Sequence, residues 1–266
     1  MMNLVIQSLL HVLIPVIVLT VLVFKGLFDS AHTEVGYEHY AEEANPDWGF
    51  VRFPSWLKMP GNTIVNVGYC IVGLTWIYHI IKEKQINERG RYMYYIFCWQ
   101  AIMYGGVQYA RISTQLHQWA ILDQWFTLPF FAWVPVWSGY LMQGWNGPMT
   151  FLTMLMSILS YLPHTLYHRG FEIALGIHIV FAVVSAVRIH RMYPVQANLT
   201  VFVCAVVCCS GFVFLKLADH YLASFLLFRY LTGHFWSKVC DFLQIHFVCQ
   251  FFFNIDKSLR SIRKEE

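Results

Sequence analysis

The chain has 266 residues, of which 58% are hydrophobic and only 12% charged, with a formal net charge of +3. Soluble domains carry roughly 25% charged residues, so this balance and a mean hydropathy of +0.50 exclude an ordinary soluble domain and indicate a polytopic membrane protein. The charge is too small, and no basic patch dense enough, to argue for nucleic acid as a partner.

Residues 4–28 are almost entirely apolar and long enough to span a bilayer with some tilt. No basic segment precedes them and no small-residue cleavage site follows, so they read as an uncleaved anchor. Further apolar runs recur at 62–82, 92–110, 121–142, 149–166, 171–190, 199–217 and 232–253. Their short connections leave no room for a soluble domain, so the expected architecture is a single all-α membrane bundle of eight spans. Pro15, Pro129, Pro135 and Pro163 fall within spans as kinks. Trp and Tyr crowd the span ends, as an interfacial belt requires.

The 29–61 loop alone is long. It holds Asp29, Glu34, Glu38, Glu42, Glu43 and Asp47, followed by Trp48, Phe50, Phe53 and Trp56. This mixture predicts a short helix around 37–44 and an aromatic segment along the interface. Seven cysteines lie inside apolar stretches without loop pairs, so they read as buried soft hydrophobes. Lys82, Lys84, Arg89, Arg91, Arg188, Arg191, Lys257, Arg260, Arg263 and Lys264 fall on one side of an eight-span topology. Lys25, Arg52, Lys58, Arg111, Arg169, Lys216 and Arg229 fall on the other. The positive-inside rule then places both termini in the cytoplasm. The Asn198-Leu199-Thr200 sequon would face the cytoplasm and stay bare.

Ionisable residues inside a membrane mark functional sites, because each costs several kcal/mol unless paired or wetted. Segment 219–246 is unusually rich in them: Asp219, His220, His234, Lys238, Asp241 and His246. His234, Lys238 and Asp241 recur at i, i+4 and i+7 and share one helical face, whereas His246 lies about 120° away. Span counting places the 29–61, 111–120, 167–170 and 218–231 connections on one membrane side. Asp123, Glu172, His178, Asp219 and His234 then approach the same face from different helices. The candidate intramembrane polar site is Arg111, Asp123, Asp219, His234, Lys238 and Asp241; no catalytic residue, metal ligand or cofactor is assigned. The blander alternative is a local Lys238–Asp241 pair, with His234 at the interface and Asp123 as a helix-start residue.

Over most of its length the sequence resembles the transmembrane protein 187 family of vertebrates. The resemblance is carried by VGYEHYAE (35–42), MPGNTIVNVGY (59–69), LDQWFTLPFFAW (122–133), GFEIALGIH (170–178), LKLADHYLA (215–223) and LTGHFWSKVCDFLQIHF (231–247). It implies a multi-pass protein of the endomembrane system, in secretory-pathway or transport-vesicle membranes, and no particular activity. More distantly, the order of elements is similar to the alkaline ceramidases and progestin/adiponectin-type receptors, seven-helix proteins that hold zinc within the membrane. Asn62-Thr63-Ile64-Val65-Asn66, Leu122-Asp123, Leu217-Ala218-Asp219 and Gly233-His234-Phe235-Trp236 carry that likeness. It implies a seven-helix ceramidase-like core over 62–253, preceded by the extra span 4–28 and the 29–61 acidic-aromatic loop, and followed by a basic tail over 254–266.

Two departures weigh against a metal. The superfamily's Ser-x-x-x-His falls near Val107 and Arg111, and its second histidine of the last helix is Lys238. A zinc site needs about three neutral or anionic ligands, and a guanidinium has no lone pair to give. The expectation is that Arg111 and Lys238 replace the metal's charge and pair with Asp123, Asp219 or Asp241. Three functions follow from this reading. The first is a non-catalytic bundle that binds membrane lipids, a lipid ligand or a protein partner. The alternatives are an intramembrane metal-dependent lipid amide hydrolase and a proton-coupled transporter.

Overall fold

The computed structural model describes residues 2–48 and 51–265. Phe50 of the aromatic segment, and the side chains of Arg263 and Lys264 in the tail, lie outside the described residues. The chain runs as α1 (Met2–Phe24), α2 (Pro60–Ile64), α3 (Val67–Lys82), α4 (Glu88–Thr114), α5 (His117–Gln143), α6 (Gly147–Leu159), α7 (Gly170–Met192), α8 (Gln196–Leu217), α9 (Asp219–Leu222) and α10 (Gly233–Glu265). Among the described residues there is no strand.

Apolar surface outlines the membrane. Ile14, Ile17 and Val21 on α1, Ile71 and Leu74 on α3, Val180 and Phe181 on α7, and Val207 and Phe214 on α8 all point outward. Exposed aliphatic belts of this extent are stable against lipid, not water. Among the described residues, four segments are long and apolar enough to cross a bilayer on length and composition: Asn3–Phe24, Pro60–Lys82, Gly170–Met192 and Gln196–Leu217. The more central α4 and α5 are less apolar because they carry the interior polar and aromatic groups. Trp133, Trp137, Tyr94, Tyr95 and Phe97 are fully buried there. Trp137 stacks on Phe252 of α10 at 4.2 Å between ring centroids. Indole N–H groups need acceptors when buried, and Trp133 and Trp125 donate to the Met93 and Ile158 carbonyls at 3.0 and 2.8 Å.

Several elements differ from the sequence reading. The last helix does not stop at residue 253. It continues to Glu265 through 33 residues, about 50 Å at 1.5 Å per residue, well beyond a hydrocarbon core of about 30 Å. Ile255 and Leu259 maintain its buried stripe, Asp256 accepts the Tyr94 hydroxyl at 2.7 Å, and Arg260 reaches Glu83 at 3.3 Å. The basic tail is therefore helical as far as Glu265, and its residues 255–260 pack against the bundle. The span expected at 149–166 is only 13 residues of α-helix, finished by a 3-10 turn at Leu162–Thr165. It still traverses the bundle: Arg89 lies 4.4 Å from the Trp145 ring before it, and His164 reaches the His32 carbonyl after it. Around 37–44 only a 3-10 turn forms, Tyr37–His39. Glu42, expected within that helix, instead turns its side chain to the first backbone N–H groups of α2.

Asn198 of the sequon is buried. Its Nδ2 donates to the Phe251 carbonyl at 3.1 Å and its Oδ1 accepts from Asn254 at 2.8 Å. An amide so enclosed is not available to a glycosyl transferase, whichever side it faces.

Close helix approach rests on small residues. A methyl group added at Gly73 of α3 would lie 2.8 Å from the Cys98 carbonyl oxygen of α4, whereas one added at Gly106 would meet nothing within 4 Å. Gly73→Ala is expected to destabilise the bundle by about 1–3 kcal/mol. Gly106→Ala is expected to be neutral or stabilising by up to about 1 kcal/mol. Thermal unfolding in detergent separates them; equal shifts would contradict the α3–α4 packing described.

Candidate functional site

The central polar contact lies between α4 and α5, near the turn that joins them. Tyr104, Gln108 and Arg111 recur at i, i+4 and i+7 and so form one stripe of α4. Arg111, in the last turn, pairs with the Asp123 carboxylate of α5. Gln108 donates to the other oxygen of Asp123 and, at 2.7 Å, to the Tyr104 hydroxyl. Thr127, one turn beyond Asp123, donates to the Asp123 carbonyl at 2.9 Å, and its hydroxyl oxygen lies 3.4 Å from that of Tyr104. Arg111 and Asp123 are only 8% and 5% exposed. At that burial a single unpaired charge would be strongly unfavourable, so their pairing is a condition of the fold.

Lys238, from α10, joins the same cavity but makes no ion pair within 4 Å among the described residues. Its ammonium lies 5.7 Å from the Tyr104 ring and 5.5 Å from the Phe212 ring, within cation–π range. Asp241 is not its salt-bridge partner; it accepts the Tyr69 hydroxyl of α3. Asp219 and His234 form a separate arrangement. Asp219 accepts the His234 backbone N–H at 2.6 Å and the Ala41 backbone N–H at 2.9 Å. Its job here is to tie the start of α10 to the 29–61 loop. The His234 ring packs edge-on against Tyr40 at 4.9 Å, and its Nε2 has no hydrogen-bond partner among the described residues.

Of the six candidates, Arg111, Asp123 and Lys238 thus line one cavity of about 250 Å³. Asp219, His234 and Asp241 sit outside its wall at the same end of the bundle or just below. Lys216 in the last turn of α8 also lines the cavity, where sequence reading had counted it among loop charges. Its signal was present: Lys216 follows Phe212 and Val213 at helical spacing, and both line the same space. Glu172 belongs to the rim, while His178 turns away to Ser157 at 2.9 Å.

The long loop covers this end. Gly36 donates to Gln115, Thr33 meets His117, and Glu42 accepts the Gly61 and Asn62 backbone N–H groups at 2.8 and 2.7 Å. His164 fixes the loop through a defined tautomer. Its Nδ1 accepts the Phe171 N–H at 3.3 Å, so Nε2 carries the proton and donates to the His32 carbonyl at 2.7 Å.

A metal fits poorly. Among the described residues no three histidine, cysteine or carboxylate side chains converge to hold one. Asp123, the carboxylate best placed, is already engaged by a guanidinium.

Burial, reinforced by nearby Asp219, pushes the Glu42 carboxyl up from 4.5 to about 7, against the two backbone N–H bonds that favour its anion. A folded value above the unfolded one means the docked loop gains stability fully below about pH 4.5 and loses it as the pH rises through about 7. Limited proteolysis of the 29–61 loop is therefore expected to be slower at pH 5 than at pH 8. Glu42→Gln should remove that difference, and Asp219→Ala should release the loop at both pH values. Equal protection of the unaltered chain at both values would contradict the assignment.

Comparison with known proteins matches these features to a lineage. The family model described as the TMEM187 protein family covers residues 8–253. Transmembrane protein 187 of Homo sapiens is 45% identical over 246 residues, 92% of this chain and 91% of the relative. Its Bos taurus counterpart is 41% identical over 249 residues, 92% of this chain and 95% of the relative. No solved structure matches. The chain belongs to the transmembrane protein 187 family.

Proposed function

We propose that this membrane protein is a non-catalytic helical bundle that binds a lipid, with an ion pair standing where the zinc-holding seven-helix proteins it resembles bring metal ligands together. The observation that carries the reading is the engagement of the Asp123 carboxylate by Arg111 within a cavity of about 250 Å³. A hydrolase of the metal-water type needs an open coordination position and a base free to act. Here the carboxylate is neutralised by a permanent cation, and the cavity walls add two lysines.

The proposal places both termini in the cytoplasm. Lys82, Lys84, Arg89, Arg91, Arg188, Arg191, Lys257 and Arg260 belong to the end where Arg260 meets Glu83 and Arg89 meets Trp145. At the opposite end Arg111 and Lys216 turn into the cavity, which leaves fewer cations for the headgroups there and favours this orientation. Residence in the secretory pathway or transport vesicles is part of the same reading.

Zinc analysis of the purified full chain, with a ceramide hydrolysis assay on the same sample, tests the non-catalytic reading. The expected result is zinc far below one per chain and no turnover. One tightly held zinc per chain, or amide cleavage abolished by a chelator, would overturn it. A C-terminal epitope is expected to be accessible only after selective permeabilisation of the plasma membrane, without opening the organelle lumen.

A further inference from the structure

Two cations in the cavity wall are left over once Arg111 is paired. Lys238 is 2% exposed, and neither it nor Lys216 makes an ion pair within 4 Å among the described residues. The cavity wall carries three cationic side chains, Arg111, Lys216 and Lys238, and a single buried carboxylate, Asp123, among the described residues. Asp123 is bound by Arg111, and Asp241 accepts from Tyr69. Glu34 and Glu172 stand exposed at the rim, where water screens them. The other buried acids at this end, Asp219 and Glu42, are held by backbone N–H groups, so the two lysines have no carboxylate within 4 Å among the described residues, a costly arrangement inside a membrane unless a ligand or water answers it.

A second observation comes from the helices that flank the cavity. α7 leans on α5, and α8 packs along α10, so α7 and α8 barely touch although a short turn at 193–195 joins them. Between them lies an apolar cavity of about 170 Å³, lined by Ile179, Ala182 and Ala186 of α7 and by Phe202, Ala205 and Val206 of α8. A narrow space of about 40 Å³ shares Tyr104 and Thr127 with the cationic cavity, and Phe131 and Gln244 with the apolar one. Cationic pocket and apolar groove therefore lie in series along the same two helices. From Lys216 to Phe202 the path along α8 is about 21 Å at 1.5 Å per residue, somewhat more than one leaflet of a hydrocarbon core about 30 Å thick.

We propose that the α7–α8 cleft binds an anionic amphiphile, with its carboxylate or phosphate head between Lys216 and Lys238 and its acyl chain in the groove lined by Ala182 and Ala205. This rests on the lipid-binding reading above and names the ligand's chemistry. Charge complementarity selects the head, and the length and apolarity of the groove select a chain. Small side chains at Ala182, Ala186 and Ala205 leave the groove its width.

Native mass spectrometry of the full chain in neutral detergent, titrated with oleate, lysophosphatidate or monoolein, tests the proposal. One anionic amphiphile per chain should bind at least about tenfold more tightly than neutral monoolein, since a hydrogen bond to a charged group contributes about 1.5–3 kcal/mol and 1.4 kcal/mol is a factor of ten. The relative affinity of oleate and lysophosphatidate tells which head it is. Lys216→Met combined with Lys238→Met should lower the anions to the level of monoolein, while Lys238→Arg should preserve the preference. Ala205→Phe should block all three. The unfolding temperature of each variant reports whether it is folded, and only folded variants are compared. Three results would overturn the site: monoolein binding as tightly as the anions, the preference surviving in the double lysine variant, or full binding in Ala205→Phe. Failure of every amphiphile to bind would overturn the lipid-binding reading itself, whereas charge-blind binding would overturn only this assignment.

Discussion

The buried contact between Arg111 and Asp123 is the constraint on which the interior depends. Each charge alone would be prohibitive at this depth, because hydrocarbon offers no water to solvate it. Together they need only one another and a directed hydrogen bond to the carboxylate from Gln108, whose amide also donates to the Tyr104 hydroxyl. Since the two residues belong to helices joined by a short turn, the pair also sets the relative height of α4 and α5. Of these, α5 holds the buried Trp133 and Trp137, which meet His11 of α1 and Phe252 of α10. The polar stripe and the aromatic core thereby specify the same geometry.

A consequence appears at the loop end of the bundle. With Asp123 committed to Arg111, two other buried acids near that face serve as anchors. Asp219 joins Ala41 to the His234 N–H in the first turn of α10, and Glu42 caps α2. The acidic loop is thus a fitted cover in which Glu42 alone is buried, while Asp29, Glu34, Glu38, Glu43 and Asp47 stay exposed. Lys216 and Lys238 remain beneath it without carboxylates of their own, which separates the cavity's electrostatics from a self-neutralised salt-bridge network.

Much of this was legible in the chain. Apolar runs located the membrane helices because lipid-facing surface must be apolar, and Asp123 stood out because a carboxylate within a span is costly. Arg111 is marked by the periodicity of Tyr104, Gln108 and Arg111, a pattern apparent once period 3.6 is applied to polar residues as well as apolar ones. Other features were hidden for physical reasons. The end of α10 was masked by Asn254, Asp256 and Lys257, which resemble a solvated tail although Ile255 and Leu259 continue the buried face. The pairing of Asp241 with Tyr69, and of Asp219 with backbone N–H groups, depends on tertiary approach that local charge spacing does not encode. Spacing alone favours Lys238 with Asp241; packing against α3 turns the carboxylate elsewhere.

A double-mutant cycle on Arg111 and Asp123, read by unfolding in detergent, tests the central claim most directly. Asp123→Asn and Arg111→Met should each destabilise the bundle by about 3–5 kcal/mol, because each leaves its partner buried and uncompensated. The combined variant should recover much of that loss, giving a coupling of a few kcal/mol. Additive losses, or single variants as stable as the unaltered chain, would contradict the account.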